Sequence, residues 1–263
     1  DAEVAFVDSQ VGRLLDTLLS RFPDTLVVIT SDHGEGLGDH PRVARAATHG
    51  YTLYDSVLLV PLVIYHPDLV AGIRFSGMVQ LLDVAPTVVE LFGLTANAEV
   101  RGTSLAEIVR GRDAPPLPAR VFSETQYKGV DKISVREERV KLILNRDHVA
   151  WAEGRRPDLG AGSSVARAIR QCGPRELYRI PGREDPISLG VDRVRREPHT
   201  VRRLEQAIAD FVAAVPPRRP VGRDRTAEID DSIIEQLEAL GYLDGDLDEL
   251  AGASRVTGES DPR

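Results

Sequence analysis

Apolar residues at helical spacing open the chain and predict a helix over residues 2–19. They stand at Val4, Val7, Val11, Leu14, Leu15 and Leu18, which makes one face of the helix apolar. A short run without polar residues follows at 26–29. Because this run is apolar toward both faces, it predicts a buried strand of a parallel sheet. A helix, a buried strand and then a polar loop with glycines is the order typical of α/β folds.

Further apolar runs predict the elements that follow, up to residue 118. They are strands at 58–65 and 79–82, a helix at 83–94 and a short helix at 104–109. The longer helix has clear end signals, because Asp83 is suited to be its N-cap and Gly93 to mark its end.

The pattern changes after residue 118, where short strand-like runs alternate with polar breaks. Such runs are typical of an antiparallel sheet, and they lie at 120–124, 132–136, 140–145, 149–153 and 176–180. An amphipathic helix is predicted at 200–215 and a last helix at 229–240, before an acidic tail predicted to be disordered. We therefore divide the chain into an α/β part, 1–118, a small antiparallel sheet with a helix, 119–215, and a linker, helix and tail, 216–263.

Composition narrows the classes of partner. The net charge of −8 argues against nucleic acid as the main partner, because binding phosphates requires clustered positive charge. No apolar run reaches the roughly eighteen residues of a transmembrane helix, and the single cysteine, Cys172, cannot form an internal disulfide.

The first residues do not form a signal peptide, and we expect the chain to be an internal and C-terminal portion of a longer protein. A solvated basic face is predicted for Arg193, Arg195, Arg196, Arg202 and Arg203.

Asp32 and His33 are the first candidates for chemistry, because they directly follow the predicted buried strand. Ligands in α/β folds bind beyond the carboxyl ends of strands, and a carboxylate beside an imidazole suits a divalent cation. Gly34 and Gly36 permit the turn that two adjacent ligands need. Taken alone, an Asp-His-Gly triplet favours the alternative interpretation, in which Asp32 caps a following helix and His33 lies on the surface.

The surrounding residues resemble the sulfatase family of the alkaline phosphatase superfamily. The resemblance begins with Thr30-Ser31-Asp32-His33-Gly34-Glu35-Gly36, continues through Leu37-Gly38-Asp39-His40, and returns in Thr48-His49-Gly50-Tyr51 and Leu53-Tyr54-Asp55. It extends over Leu82-Asp83-Val84-Ala85-Pro86-Thr87 and Arg101-Gly102-Thr103-Ser104-Leu105. It is dense to about residue 145 and is found again at 176–178 and 237–243.

The resemblance implies a fold and a site. The fold would be α/β, with part of an alkaline-phosphatase-like three-layer core followed by a small antiparallel α+β subdomain. Asp32 and His33 would be two ligands of one divalent cation, with Ca²⁺ as first choice and Mn²⁺, Zn²⁺ or Mg²⁺ as alternatives. His49 would contact the substrate anion and the leaving-group oxygen, since an imidazolium stabilises negative charge and donates a proton. The alternative for His49 is a structural histidine in a loop, and Glu35, Asp39 and His40 would support the loop.

The nucleophile that the resemblance implies is absent from the chain. Sulfatases use a formylglycine made within C/S-x-P-x-R, which we expect upstream. Cys172-Gly173-Pro174-Arg175 is one residue short of that motif and follows the metal signature instead of preceding it.

The implied activity is hydrolysis of a small or carbohydrate-type sulfate ester, with this chain inactive alone. A phosphate or phosphonate ester hydrolase or phosphotransferase is one alternative, and a non-catalytic truncated relative is another. We also expect exposed apolar surface on the parallel sheet, where a missing N-terminal half would pack.

Overall fold

The computed structural model describes residues 2–38, 49–95, 97, 100–127, 130–146, 148, 172–180 and 193–215. All of them belong to the first of the two units into which the chain divides, Asp1–Val215. The predicted strand at 149–153, the helix at 229–240 and the tail lie outside the described residues. The division near residue 118 stays a prediction.

The first elements are a helix and a two-stranded sheet. Helix α1 spans Ala2–Arg21, as the apolar spacing predicted. Strand β1, Val27–Thr30, pairs with β2, Leu62–Tyr65, in antiparallel register, so that Ile29 lies opposite Val63.

The parallel pairing predicted for β1 is therefore wrong in the described part of the chain. An apolar run indicates that a strand is buried, but it does not give the direction of the strand relative to its neighbour. That direction depends on the connection between the two strands. Three of the four residues of β1 are half-buried, and Val63 and Tyr65 of β2 are 51% and 47% exposed.

The strand predicted at 79–82 is also wrong, because residues Leu81–Asp83 form a 3₁₀ turn that leads into helix α3, Val84–Leu91. A short apolar run by itself does not distinguish a strand from a helical segment. Asp83 decides the outcome here: its carboxylate is fully buried and accepts the backbone N–H groups of Gln80, at 2.9 Å, and Thr103, at 2.8 Å. The predicted helix itself is confirmed.

Two short helices complete this region. Helix α2, Asp55–Leu58, lies between β1 and β2 in the chain, and α4, Ala106–Val109, follows α3 at the predicted place.

Four strands then form the predicted antiparallel sheet. They are β3, Val121–Tyr127, β4, Val130–Glu137, β5, Val140–Asn145, and β6, Arg175–Arg179, in that order across the sheet. Helix α5, Pro198–Ala214, packs on one face. Their shared core contains Ile133, Val135, Leu142, Leu177, Leu204 and Ile208, which stabilises the sheet by removing apolar surface from water.

The opposite face of the sheet is polar and yet buried. The strand register aligns Lys132 with Asn145 and Arg136 with Lys141. Glu176 of β6 accepts hydrogen bonds from Tyr178, at 2.6 Å, and Asn145, at 2.8 Å. Buried polar groups require such partners.

Tyr54 joins this buried polar cluster from the segment before α2. Its hydroxyl donates to Glu176 at 2.8 Å. Burial, and then the nearby Glu176 carboxylate, raise the pKa of Tyr54 and Tyr178 far above the ordinary range of a phenol. The polar face is thus covered by the segment that contains Tyr54.

Helix α1 leaves its apolar side chains in solvent. None of its residues is buried, and Val4, Phe6 and Leu14 are 71%, 66% and 63% exposed. The expected exposed apolar surface is therefore present on strand β2, and α1 adds further exposed apolar residues to it. None of the helices in the described ranges is both long and apolar enough to cross a membrane.

Replacing Tyr178 by Phe will lower the free energy of unfolding by about 1–3 kcal/mol, because the buried Glu176 loses a donor that water does not replace. The measurement is urea denaturation followed by circular dichroism. Tyr65→Phe is the matched control, since Tyr65 is 47% exposed, and we expect a change within about 0.5 kcal/mol there. Equal effects of the two substitutions would contradict this account of the cluster.

Candidate functional site

The loop after β1 presents Asp32 and His33 next to each other. Asp32 Oδ1 accepts the backbone N–H of His33 at 2.9 Å, and Ser31 Oγ donates to the carbonyl of His33 at 2.6 Å. The His33 N–H, and then the charge of the His33 ring, hold the pKa of Asp32 below its ordinary value. The Asp32 side chain is 78% exposed, so its carboxylate is accessible to a ligand.

The hydrogen bonds of His33 determine which ring nitrogen has a free lone pair. Its Nδ1 lies 2.8 Å from the carbonyl oxygen of Gly34. A carbonyl only accepts, so in the neutral ring Nδ1 carries the hydrogen and Nε2 has the lone pair. Nε2 lies 3.8 Å from Asp32 Oδ1.

These two donor atoms fit a divalent cation. Two ligands at about 2.0–2.6 Å from one ion lie at most about 4–5 Å apart, and the observed 3.8 Å separation is within that range. An oxygen and an imidazole nitrogen suit Ca²⁺, Mn²⁺, Zn²⁺ or Mg²⁺ to different degrees. Within the described ranges, no group of three or more His, Cys, Asp or Glu side chains is placed to hold a metal, so the described part supplies two donors.

His49 lies directly against His33, although sixteen positions separate them in the chain. The two rings stack with centroids 4.1 Å apart and planes 24° apart. His49 Nδ1 lies 3.0 Å from Glu35 Oε2, and the other oxygen of Glu35 accepts the N–H of Gly36 at 3.0 Å. Because a carboxylate only accepts, His49 donates from Nδ1, and Glu35 thereby sets the tautomer and the orientation of the ring.

Gly34 attaches this loop to helix α2. Its N–H donates to the carbonyl of Val57 at 2.7 Å. A Cβ at position 34 would lie 2.2 Å from the carbonyl oxygen of Ser56. The close approach of two backbones explains why the residue after His33 has no side chain.

A cleft of about 760 Å³ brings the candidates together. The three residues singled out in the sequence, Asp32, His33 and His49, all line it. Asp39 and His40 lie outside the described residues. Cys172 is buried on the polar side of the antiparallel sheet, with its sulfur 3.7 Å from the hydroxyl of Tyr54.

The cleft also contains an ion-pair cluster that the sequence analysis missed. Asp55 accepts hydrogen bonds from Arg136, at 2.6 and 2.5 Å, and from Lys141, at 2.8 Å. Burial of the Asp55 carboxylate opposes its ionisation, but the charge of Lys141 and the hydrogen bond from Arg136 outweigh it and hold the pKa below its ordinary value. One signal was available in the sequence: Lys132 and Arg136 are separated by an even number of positions in β4, which places both cations on the same face of the strand.

Comparison with known proteins identifies related sequences. The family model Sulfatase matches residues 1–94, and the model N-sulphoglucosamine sulphohydrolase, C-terminal, matches residues 49–152. A protein of Formosa agariphila named Sulfatase is 35% identical over 109 residues, which are 41% of this chain and 20% of that protein. The chain thus spans about a fifth of the length of that relative.

Two solved structures share the fold. One was determined in complex with its substrate D-glucosamine-2-N,6-O-disulfate, at a TM-score of 0.58 and 21% identity, with 81% of this chain and 40% of that chain covered. The other is the phosphonate monoester hydrolase of Agrobacterium radiobacter, at a TM-score of 0.58 and 22% identity, with coverage of 80% and 40%. The likeness identifies the alkaline-phosphatase-like fold, as expected from the sequence.

Replacing Gly34 by Ala will lower the free energy of unfolding by at least about 1–3 kcal/mol, because the new methyl group collides with the backbone of α2. Urea denaturation measures the change. Gly12→Ala is the matched control: it lies within α1 with no atom in reach of a new Cβ, and helix propensity predicts a gain of about 0.5–1 kcal/mol. A Gly34→Ala protein as stable as the Gly12→Ala protein would refute the close approach.

Replacing Asp55 by Asn will make stability less dependent on pH. Because the folded-state pKa of Asp55 is depressed below 3.8, its contribution is complete above pH 3.8 and is lost as the pH falls through the lower folded value. The difference in unfolding free energy between the native chain and the variant should be constant near neutral pH and shrink below that value. Urea titrations at a series of pH values test this, and a difference that persists unchanged to about pH 2 would contradict it.

Proposed function

The chain belongs to the sulfatase family, and we propose that the whole protein of which it forms a part hydrolyses sulfate esters. The observation that carries the proposal is the convergence of Asp32, His33 and His49 on one cleft, with the two rings stacked 4.1 Å apart. The carboxylate of Asp32 and the imidazole of His33 are suited to bind a metal ion that holds the substrate anion. The imidazole of His49, which Glu35 orients, is suited to protonate a leaving group.

The proposed metal ligands are Asp32 and His33, with Ca²⁺ as first choice and Mn²⁺, Zn²⁺ or Mg²⁺ as alternatives. Support comes from the exposed carboxylate and from the His33 Nε2 lone pair, 3.8 Å from Asp32 Oδ1. A bound cation would supply positive charge beside the ester oxygens. The hydrogen bond from the His33 Nδ1 to Gly34 keeps Nε2 available for this role.

His49 is the proposed catalytic residue. In this role the imidazolium form of the ring donates the proton on Nε2 to the oxygen of the departing alcohol, which needs one as the ester bond breaks, while Nδ1 stays bonded to Glu35. Glu35 supports the role by holding Nδ1, at 3.0 Å, which directs the other nitrogen of the ring away from that carboxylate.

The nucleophile is proposed to come from another part of the whole protein. A formylglycine made within C/S-x-P-x-R would supply an activated hydroxyl group. We propose that the part that carries it packs on the exposed apolar residues of α1 and β2, among them Phe6, Leu14 and Val63, since such a patch commonly marks an interaction site.

The proposed substrate is a small or carbohydrate-type sulfate ester. Support comes from the solved structure of similar fold that binds a disulfated glucosamine. A phosphonate or phosphate ester is the second candidate, favoured by His33 in the metal signature and by the similar fold of a phosphonate monoester hydrolase.

The test is to assay the whole protein with 4-nitrophenyl sulfate and with a phenyl phosphonate monoester. We expect faster turnover of the sulfate, loss of activity with a chelator, and a kcat about 10²–10⁴-fold lower in His49→Ala, because general acid catalysis contributes that much. His199→Ala, an exposed histidine of α5, is the matched control and should retain activity.

Faster turnover of the phosphonate would replace the sulfatase proposal by the second candidate. No turnover of either ester by a folded whole protein would leave a non-catalytic relative. We further expect the 263-residue chain alone to be inactive, since its described part supplies two metal donors; turnover by the chain alone that is lost in His49→Ala would contradict this.

A further inference from the structure

Helix α2 connects the loop of Asp32 and His33 to the antiparallel sheet. On one side, the carbonyl of Val57 accepts the N–H of Gly34 at 2.7 Å. On the other side, Asp55 accepts hydrogen bonds from Arg136 of strand β4 and Lys141 of strand β5. A helix of four residues has little stability of its own, so its position depends on these contacts.

The contact with the sheet is strong because it is largely removed from water. The Lys141 side chain is fully buried, and those of Asp55 and Arg136 are 20% and 22% exposed. A buried ammonium requires a paired anion, and charge-assisted hydrogen bonds are about twice as strong as neutral ones. Asp55 therefore has one favoured position, between the two cations.

A second contact holds the residue just before it. The hydroxyl of Tyr54 donates to the buried Glu176 at 2.8 Å, and Tyr54 packs with Ile143, Cys172 and Tyr178 in one cluster. Two consecutive residues are thus fixed on the same face of the sheet, which leaves the start of α2 little freedom to rotate.

We propose that Asp55 is a positioning residue for the candidate site: it holds α2 on the sheet, and α2 holds Gly34 and, through it, the adjacent Asp32 and His33. The inference rests on the proposed function only in taking that pair as metal ligands. Asp55 itself has both carboxylate oxygens engaged with cations, and it acts through the carbonyl of Val57.

Glu137 provides a matched comparison, and it lies on β4, the strand that also carries Arg136. It too is a carboxylate that pairs with two arginines, Arg120 and Arg203. Arg203 belongs to α5, on the apolar side of the sheet, so Glu137→Gln removes an ion-pair cluster of similar composition without touching α2. The proposal requires the two carboxylates to differ in their effect on the loop.

The test measures amide hydrogen exchange by NMR in the full 263-residue chain with Asp55→Asn or Glu137→Gln. The Gly34 amide, bonded to Val57 in the native chain, should exchange at least about tenfold faster in Asp55→Asn, which corresponds to 1.4 kcal/mol. It should be unchanged in Glu137→Gln. The Leu142 amide in the central strand β5 reports on global unfolding, and in Asp55→Asn the acceleration at Gly34 should exceed any acceleration at Leu142.

A double variant separates positioning from the cost of an unpaired charge. Asp55→Asn with Lys141→Met removes the buried ammonium together with its partner, so stability should recover. The attachment of α2 remains lost, and the Gly34 amide should still exchange rapidly. Recovery of Gly34 protection along with stability would overturn the proposal, as would equal Gly34 exchange in Asp55→Asn and Glu137→Gln.

Metal affinity of the whole protein gives the functional readout. Titration with Mn²⁺ should show an apparent Kd about tenfold weaker in Asp55→Asn and unchanged in Glu137→Gln. Tight and equal binding in both variants would overturn the role in positioning. A whole protein that binds neither Ca²⁺ nor Mn²⁺ in any form would contradict the proposed function, whereas the exchange experiment would still decide whether Asp55 positions the loop.

Discussion

The buried ammonium of Lys141 is the constraint on which much of this structure depends. It lies within a strand, fully removed from solvent, and a charge in that place is tolerated only beside an anion. Asp55 is that anion, and it comes from a segment 86 positions earlier in the chain. Pairing of Lys141 with Asp55 holds α2 on the antiparallel sheet. Helix α2 in turn contacts the loop of Asp32 and His33 through Gly34.

The antiparallel sheet serves two purposes because its faces differ in chemistry. One face carries Ile133, Val135 and Leu142 and packs on α5 through apolar contact, which is strong but has little directional preference. The other face carries charged and hydrogen-bonding groups that accept a partner in one orientation only. The apolar face provides stability, and the polar face determines where α2 lies, with its contact to Gly34.

The sequence predicted most of the local structure for identifiable reasons. Helices α1 and α5 carry apolar residues at helical spacing, and strands β3 to β6 are short runs with polar breaks, so both follow from periodicity. The direction of β1 and the turn at 81–83 were wrongly predicted. A strand's direction depends on a distant partner, and the turn depends on the Asp83 carboxylate, which accepts the N–H of Thr103 twenty positions later.

The sequence alone determined which residues were candidates, because Asp32 and His33 are neighbours and their motif resembles a known signature. Only the tertiary structure decided what those residues touch. The stacking of His49 on His33 and the pairing of Asp55 with Arg136, 81 positions apart, result from the packing of whole elements. Contacts of this kind depend on where the chain returns in space, which spacing along the sequence does not encode.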